Sequence, residues 1–129
     1  MSAASDYLEN KLLDHTLGNT AYTQPTNYVG LFTAVTGLET NSPTAEVSGG
    51  SYARKAASFA AASGGSCSTD ATITFDAATA NWGTITHVAV MDAATAGNVL
   101  FYGAVTSAKT IETGDTFQIS SGNLTISLA

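Results

Sequence analysis

The first part of the chain carries its apolar residues at the spacing of an α-helix. Four leucines in the range 8–17 fall on one broad helical face, as an amphipathic helix requires. Asp6 with Glu9 three residues later has the form of a capping box, and Gly18 stands where a left-handed residue commonly ends a helix. The pattern predicts a helix over about Asp6–Leu17.

After Pro25 the hydrophobic period changes from 3.6 to 2. In Tyr28–Thr33, alternate apolar residues fall on opposite faces, as in a strand buried on both sides. Similar strand signals recur at short intervals, separated by Gly-, Asn- and Asp-rich turns, at Tyr52–Ala61, Ala71–Phe75, Thr84–Met91, Val99–Thr106, Lys109–Ile119 and Leu124–Leu128. Many short strands with regular turns predict a mainly β fold, an antiparallel β-sandwich or jelly-roll-like single domain over residues 1–129 that includes the N-terminal α-helix.

The longest stretch without periodicity is the segment 34–50, which contains Pro43, Asn41 and three glycines. Long loops without regular structure often carry binding residues. We therefore predict that this segment, with Leu38 and Glu46 in it, is a contact loop.

Composition excludes two classes of partner. The formal net charge is −6 and only four residues are Lys or Arg, so the chain lacks the basic surface that binds nucleic acid. No stretch approaches the roughly 18 apolar residues of a membrane span, and charges near the start occupy the place of a signal peptide's apolar core. These features predict synthesis in the cytoplasm, and the sparse charge is compatible with a homo-oligomer, a dimer or trimer.

The sequence offers little catalytic or metal chemistry. Cys67 is the single cysteine, and His15 and His87 have no sequence neighbours that suggest a catalytic or metal site. No nucleophile elbow and no metal-ligand spacing occurs. We therefore predict no catalytic residue, no metal and no cofactor, and a protein that is not an enzyme.

The segment EVSGGSYARKA, Glu46–Ala56, places two of the four basic residues side by side. A phosphate-binding loop would lead into a helix, whereas this segment leads into a strand pattern. On a strand, Tyr52 and Arg54 share one face and Lys55 points to the other. Arg54 can therefore serve a salt bridge inside the fold or a contact between subunits, and both uses stay open.

The chain resembles a family of small tailed-phage virion structural proteins, often labelled tail-fibre-like. The motifs that carry the resemblance run over nearly the whole chain: YLENKLLDHTLGNTAYTQP, YVGLFTA, EVSGGSYARKA, ANWGTITHVAVMDAATAGNVLFYGAV and GDTFQISSGNLTISL. The resemblance implies a virion component made in the host cytoplasm.

Two positions in the virion follow as expectations. A lone compact domain of low charge favours a capsid cement protein, which would bind the major capsid protein at the capsid surface and stabilise the assembled shell. The alternative is a tail-fibre, baseplate or adhesin module that binds host-surface glycan, with Trp82 as an aromatic platform. The predicted interface residues are Leu8, Leu12, Leu38, Glu46, Tyr52, Arg54 and Lys55.

Overall fold

The computed structural model of the protein describes residues 2–128. One helix and nine strands follow each other along these residues. Their bounds are β1 Ser2–Ala4, α1 Asp6–Thr16, β2 Tyr28–Phe32, β3 Lys55–Ala56, β4 Ser66–Ser68, β5 Ile73–Thr74, β6 Gly83–Met91, β7 Val99–Ile111, β8 Gln118–Ile119 and β9 Thr125–Ser127.

The strands form three antiparallel sheets. The main sheet has five strands in the order β1-β7-β6-β2-β3, while β4 pairs with β9 and β5 pairs with β8. The two small sheets pack on one face of the main sheet, where Ile73 and Phe117 contact the cluster around Leu31 and Ile85. The prediction of a mainly β, antiparallel sandwich with an N-terminal helix is confirmed.

Strand β2 is buried on both faces of the main sheet. Val29 and Leu31 face the cluster under the small sheets, whereas Phe32 belongs to a second cluster on the opposite face. All three side chains are buried. The alternation predicted for this strand is therefore the alternation that the structure shows.

The N-cap of helix α1 lies one residue before Asp6, the residue that the capping-box pattern predicted. The N-cap is Ser5, whose hydroxyl accepts the Leu8 amide proton at 3.2 Å and donates to the Val99 carbonyl. Ser5 is completely buried, so it fixes the helix to strand β7 as well as capping it. The helix ends at Thr16, and Gly18 follows with a φ of 84°, as a left-handed C-terminal residue.

The predicted strand bounds differ from the observed ones where the pattern was weak. Of the predicted strand Tyr52–Ala61, only the two residues of β3 form a strand. The predicted strands Val99–Thr106 and Lys109–Ile119 are instead one long β7 and, after a turn, the short β8. Strands β1 and β4 were not predicted, since they are three residues long and their small side chains give no hydrophobic period.

Candidate functional site

Two residues of the segment EVSGGSYARKA, Glu46 and Arg54, form a salt bridge inside the fold. Arg54 binds Glu46 through two bonds, Nε to Oε2 and Nη2 to Oε1, both 2.7 Å. The Arg54 side chain is only 6% exposed and that of Glu46 25%. This two-bond geometry is the strong form of an arginine–carboxylate pair.

The third guanidinium nitrogen of Arg54 holds a distant turn. Its Nη1 donates to the carbonyl oxygens of Ala93 and Ala96, at 2.8 and 2.7 Å. That turn joins β6 to β7 and is closed from within by Asp92, which accepts from the Asn98 amide at 2.6 Å. Arg54 therefore connects the 34–50 segment to the β6–β7 turn, and its guanidinium group is engaged within the chain.

Tyr52 completes this cluster from the other side. Its hydroxyl donates to Glu46 Oε2 at 2.7 Å and accepts from the Leu31 amide at 3.0 Å. Burial raises the pKa of Tyr52 far above the ordinary range, and its hydrogen bond to Glu46 raises it further. The same carboxylate raises the pKa of Arg54. Tyr52 therefore remains protonated and Arg54 charged, so the cluster is built for rigidity rather than for proton transfer.

A first prediction concerns alkaline pH and the variant Tyr52→Phe. In the unfolded chain Tyr52 ionises at its ordinary pKa of about 10, whereas the folded chain keeps the proton to much higher pH. Its contribution to stability is therefore complete below pH 10 and is lost above it, at up to about 1.4 kcal/mol per pH unit. Urea unfolding of both proteins from neutral pH to about pH 11 should show a shallower alkaline decline for the variant.

The comparison of slopes separates ionisation from the lost hydrogen bond, which lowers the variant's stability at every pH. Tyr22 and Tyr102 also have raised pKa values, chiefly through burial, and they contribute equally in both proteins. An identical alkaline slope in the two proteins would contradict the assignment to Tyr52.

Trp82 lies in the core rather than on the surface. It is 5% exposed, its indole nitrogen donates to the Gly50 carbonyl at 2.9 Å, and its ring meets Tyr52 edge-on at 5.5 Å. Gly50 has a φ of 58°, and a Cβ there would lie 2.9 Å from the indole nitrogen. The prediction of Trp82 as a glycan platform is wrong because the ring has no free face.

The 34–50 segment folds back onto the main sheet. The Thr33 amide donates to the Ala45 carbonyl and the Val47 amide to the Leu31 carbonyl, both at 3.0 Å. Leu38 is completely buried against the cluster that contains Phe32. As an interface residue Leu38 was predicted wrongly, because its side chain covers the outer face of the protein's own sheet.

The leucines of helix α1 divide between core and surface. Leu8 is buried beside Val90, Leu100 and Ile126, and Leu12 packs on the same cluster. These contacts correct the prediction of Leu8 as an interface residue, because its side chain is buried in the core. Two leucines that were not singled out face solvent instead: Leu13 is 57% and Leu17 77% exposed.

The last predicted interface residue, Lys55, lies in β3. Its ammonium group contacts Asp76 at 3.0 Å, and both side chains are substantially exposed. An exposed pair of this kind contributes little to stability, so Lys55 remains available to a partner. No observation tests an interface role for Lys55, Tyr52, Glu46 or Arg54, and that role stays a prediction.

Other polar residues do not assemble into a chemical site. Within residues 2–128, no three His, Cys, Asp or Glu side chains come together so as to hold a metal ion. His15 accepts from the Tyr22 amide at 3.0 Å, and His87 contacts its neighbour Thr86. Cys67 is half-buried in β4 and is a free thiol. No helix in the described part of the chain is long and apolar enough to cross a membrane.

Sequence reasoning missed an open groove beside β7. The groove has a volume of about 490 Å³ and lies between the second half of β7 and the segment 116–124. Its floor is apolar and its rim carries hydroxyl and amide side chains together with Lys109. The sequence did contain one sign of this groove. Residues 107–108 separate the two strands predicted at Val99–Thr106 and Lys109–Ile119, and in the structure they belong to a bulge in β7 that lies beside the groove.

The fold and its buried polar cluster define a small β-sandwich protein whose side-chain chemistry serves structure. A protein-family model described as podophage GP4 fiber I protein gp80 matches residues 3–127. Because the match covers nearly the whole chain, the protein belongs to this family and is a bacteriophage virion structural protein. A comparison with curated proteins gives no match.

Proposed function

We propose that the protein is a component of a virion fibre, a rigid domain that joins neighbouring chains through its surface. The observation that carries this proposal is the family match, whose description names a fibre protein and which spans residues 3–127. The sequence alone favoured a capsid cement protein. The family description supports the fibre alternative better.

The hydrogen bonds and packing within the domain support a structural role. Arg54 and Glu46 tie two loops together through bonds within the chain. The segment expected to reach a partner is instead held on the sheet by Leu38. Such cross-connections limit loop motion, which suits a part that transmits force or position between neighbours.

A glycan-binding role loses its main support. Trp82 is buried, and each of the other Tyr and Phe residues, all of which lie within residues 2–128, is at least half-buried. Sugar-binding sites on β-sandwiches usually depend on an accessible aromatic face. We therefore propose a role in fibre structure and not in direct glycan recognition.

The fibre proposal is tested by locating and counting the chain in purified phage particles. Quantitative mass spectrometry should find a small fraction of the copy number of the major capsid protein, and gold-labelled antibody should mark fibres in electron micrographs. Equal or simply proportional copy number with labelling over the head would establish a cement protein instead. Absence from washed particles would overturn both assignments.

A second prediction concerns self-association, which the low charge led us to expect. The exposed pair is Leu13, in the last turn of α1, and Leu17, the residue that directly follows the helix, and it offers an apolar contact to a second copy. Light scattering should show a dimer or trimer for the natural protein and a monomer for the double variant Leu13→Glu/Leu17→Glu. Both proteins should unfold at similar temperatures, because neither leucine is buried.

The matched control for this variant is Asn10→Glu/Thr16→Glu. It adds the same two charges to the same helix at exposed positions, and it should keep the oligomeric mass of the natural protein. A monomeric natural protein, or a double leucine variant that still associates, would contradict this use of the helix.

A further inference from the structure

The outer edge of β7 is paired over only part of its length. Strand β6 runs along one edge of β7, whereas β1 covers the other edge only opposite Phe101–Gly103. Over 104–110, no strand within residues 2–128 pairs with that outer edge. Unpaired strand edges are templates for the addition of another strand.

The same part of β7 departs from regular pairing on its β6 side. Ile85 lies opposite Lys109 and His87 opposite Ala104, so the single residue Thr86 faces the four residues 105–108. Bulges of this kind redirect side chains and backbone groups and often accompany binding sites. Here the bulge forms one wall of the groove, through Val105, Thr106 and Ser107.

The groove beneath this edge has the floor that an added strand requires. It is lined by apolar residues that are buried or half-buried: Val88, Val105, Ile111, Phe117, Ile119 and Leu124. When an extended segment pairs with the edge of β7, every second side chain points to the same face of the sheet. On one face these side chains meet the groove floor. The arrangement therefore provides both the main-chain partners and the apolar contacts of strand addition.

Charge then indicates one feature of the occupant. Lys109 is the single charged residue that lines the groove, and it forms no salt bridge within residues 2–128. In a chain with a net charge of −6, an exposed lysine without an acidic partner is a specific attraction for a carboxylate.

We infer that the edge of β7 over 104–110 binds an extended polypeptide segment of another virion chain. The segment lies along the edge, places alternate apolar side chains on the groove floor, and carries an acidic residue opposite Lys109. This inference rests on the proposed fibre role only for the source of the segment. The edge and its groove are properties of the isolated domain.

Two other occupants fit the observations less well. Two copies joined edge to edge through 104–110 would bring no carboxylate to Lys109, because these seven residues contain no Asp or Glu. A saccharide would meet no exposed aromatic side chain, since Phe117 in the floor is buried. Of the three occupants, only an extended segment with an acidic residue uses the unpaired backbone, the apolar floor and Lys109 together.

Amide hydrogen exchange, read by mass spectrometry, tests the inference directly. The amides of residues 104–110 that do not face β6 should exchange rapidly in the purified protein and about 100-fold more slowly in intact particles, because added hydrogen bonds must open first. Equal exchange in both samples would overturn strand addition. Protection that already develops in the purified protein on concentration would identify a second copy as the occupant and overturn the partner named here.

Variants make the test specific to the groove. Ser107→Arg places a long side chain in the groove, whereas Ala108→Arg adds the same group at an exposed neighbour that does not line it. Phage carrying Ser107→Arg should incorporate at least tenfold less of the protein, and phage carrying Ala108→Arg a normal amount. Equal thermal unfolding of the two purified variants excludes misfolding as the cause, and normal incorporation of Ser107→Arg would overturn the inference.

A second pair tests the charge. Lys109→Gln removes the positive charge in the groove, while Asn10→Asp makes the same change in net charge on the exposed face of α1. Only Lys109→Gln should reduce incorporation. Protection of 104–110 in particles whose labelled antibody marks the head rather than a fibre would uphold strand addition and overturn the fibre role, so the two proposals fail separately.

Discussion

Replacement of Arg54 by Ala should lower the free energy of unfolding by about 3–5 kcal/mol, the range found when one partner of a buried ion pair is removed. The variant leaves the Glu46 carboxylate without its two 2.7 Å bonds and leaves the Ala93 and Ala96 carbonyls without a donor. Tyr52 alone cannot replace these bonds, since it supplies one hydroxyl donor. Urea unfolding, followed through the fluorescence of Trp82, measures the change.

Lys55→Ala is the matched control, because it removes the neighbouring positive charge. Both side chains of the Lys55–Asp76 pair are accessible to solvent, at 31% and 62% exposure. Such pairs contribute about 0–1 kcal/mol. A loss for Arg54→Ala no larger than that for Lys55→Ala would contradict the buried cluster. Glu46→Gln should fall between the two variants, since the amide keeps an acceptor oxygen but loses the charge.

This result also changes how an interface role for Arg54 can be tested. A variant that loses several kcal/mol can disappear from particles through unfolding alone, because natural domains have only about 5–15 kcal/mol to lose. Full incorporation of Arg54→Ala would still remove Arg54 from the interface. Reduced incorporation would indicate a contact only for Lys55, whose replacement leaves the fold intact.

Strong periodicity made part of the fold predictable from sequence. Strands β2 and β6 lie inside the main sheet, and their segments Val29–Phe32 and Val88–Met91 are buried on both faces and contain no polar side chain. Helix α1 was predicted for a similar reason, since Leu8 and Leu12 recur at the spacing of its buried face. Strands β1 and β4 escaped prediction because they depend on partners distant in sequence, Phe101–Gly103 and Thr125–Ser127.

The polar cluster was only half predictable. Glu46 and Arg54 lie eight residues apart in one segment, so an internal salt bridge could be anticipated from their charges. The second contact of Arg54 could not, because its acceptors are backbone carbonyls of Ala93 and Ala96, and any residue supplies a carbonyl. Whether those oxygens point toward Arg54 depends on the β6–β7 turn, which Asp92 shapes through its bond to the Asn98 amide.

Leu38 shows why a loop without periodicity can still be part of the core. A single buried side chain has no repeat to detect, yet Leu38 anchors the middle of the 34–50 segment to the sheet, together with Asn41, which accepts from the Val99 amide at 2.7 Å. The turn before it is equally constrained: Gly37 has a φ of 78°, and a Cβ there would lie 1.9 Å from the Ser42 carbonyl oxygen. Sequence reasoning treated the glycines of this segment and its lack of periodicity as signs of a contact loop, and took Leu38 as an interface residue.

Leu38→Ala should therefore lower the free energy of unfolding by about 2–5 kcal/mol, through lost burial and the cavity left behind. Leu13→Ala, the same substitution at a position that is 57% exposed, should change it by no more than about 0.5 kcal/mol. Urea unfolding compares the two, and hydrogen exchange should locate the added opening of Leu38→Ala in the 34–50 segment. Equal stability of the variants would mean that Leu38 leaves the sheet in solution, which would restore this segment as a contact loop.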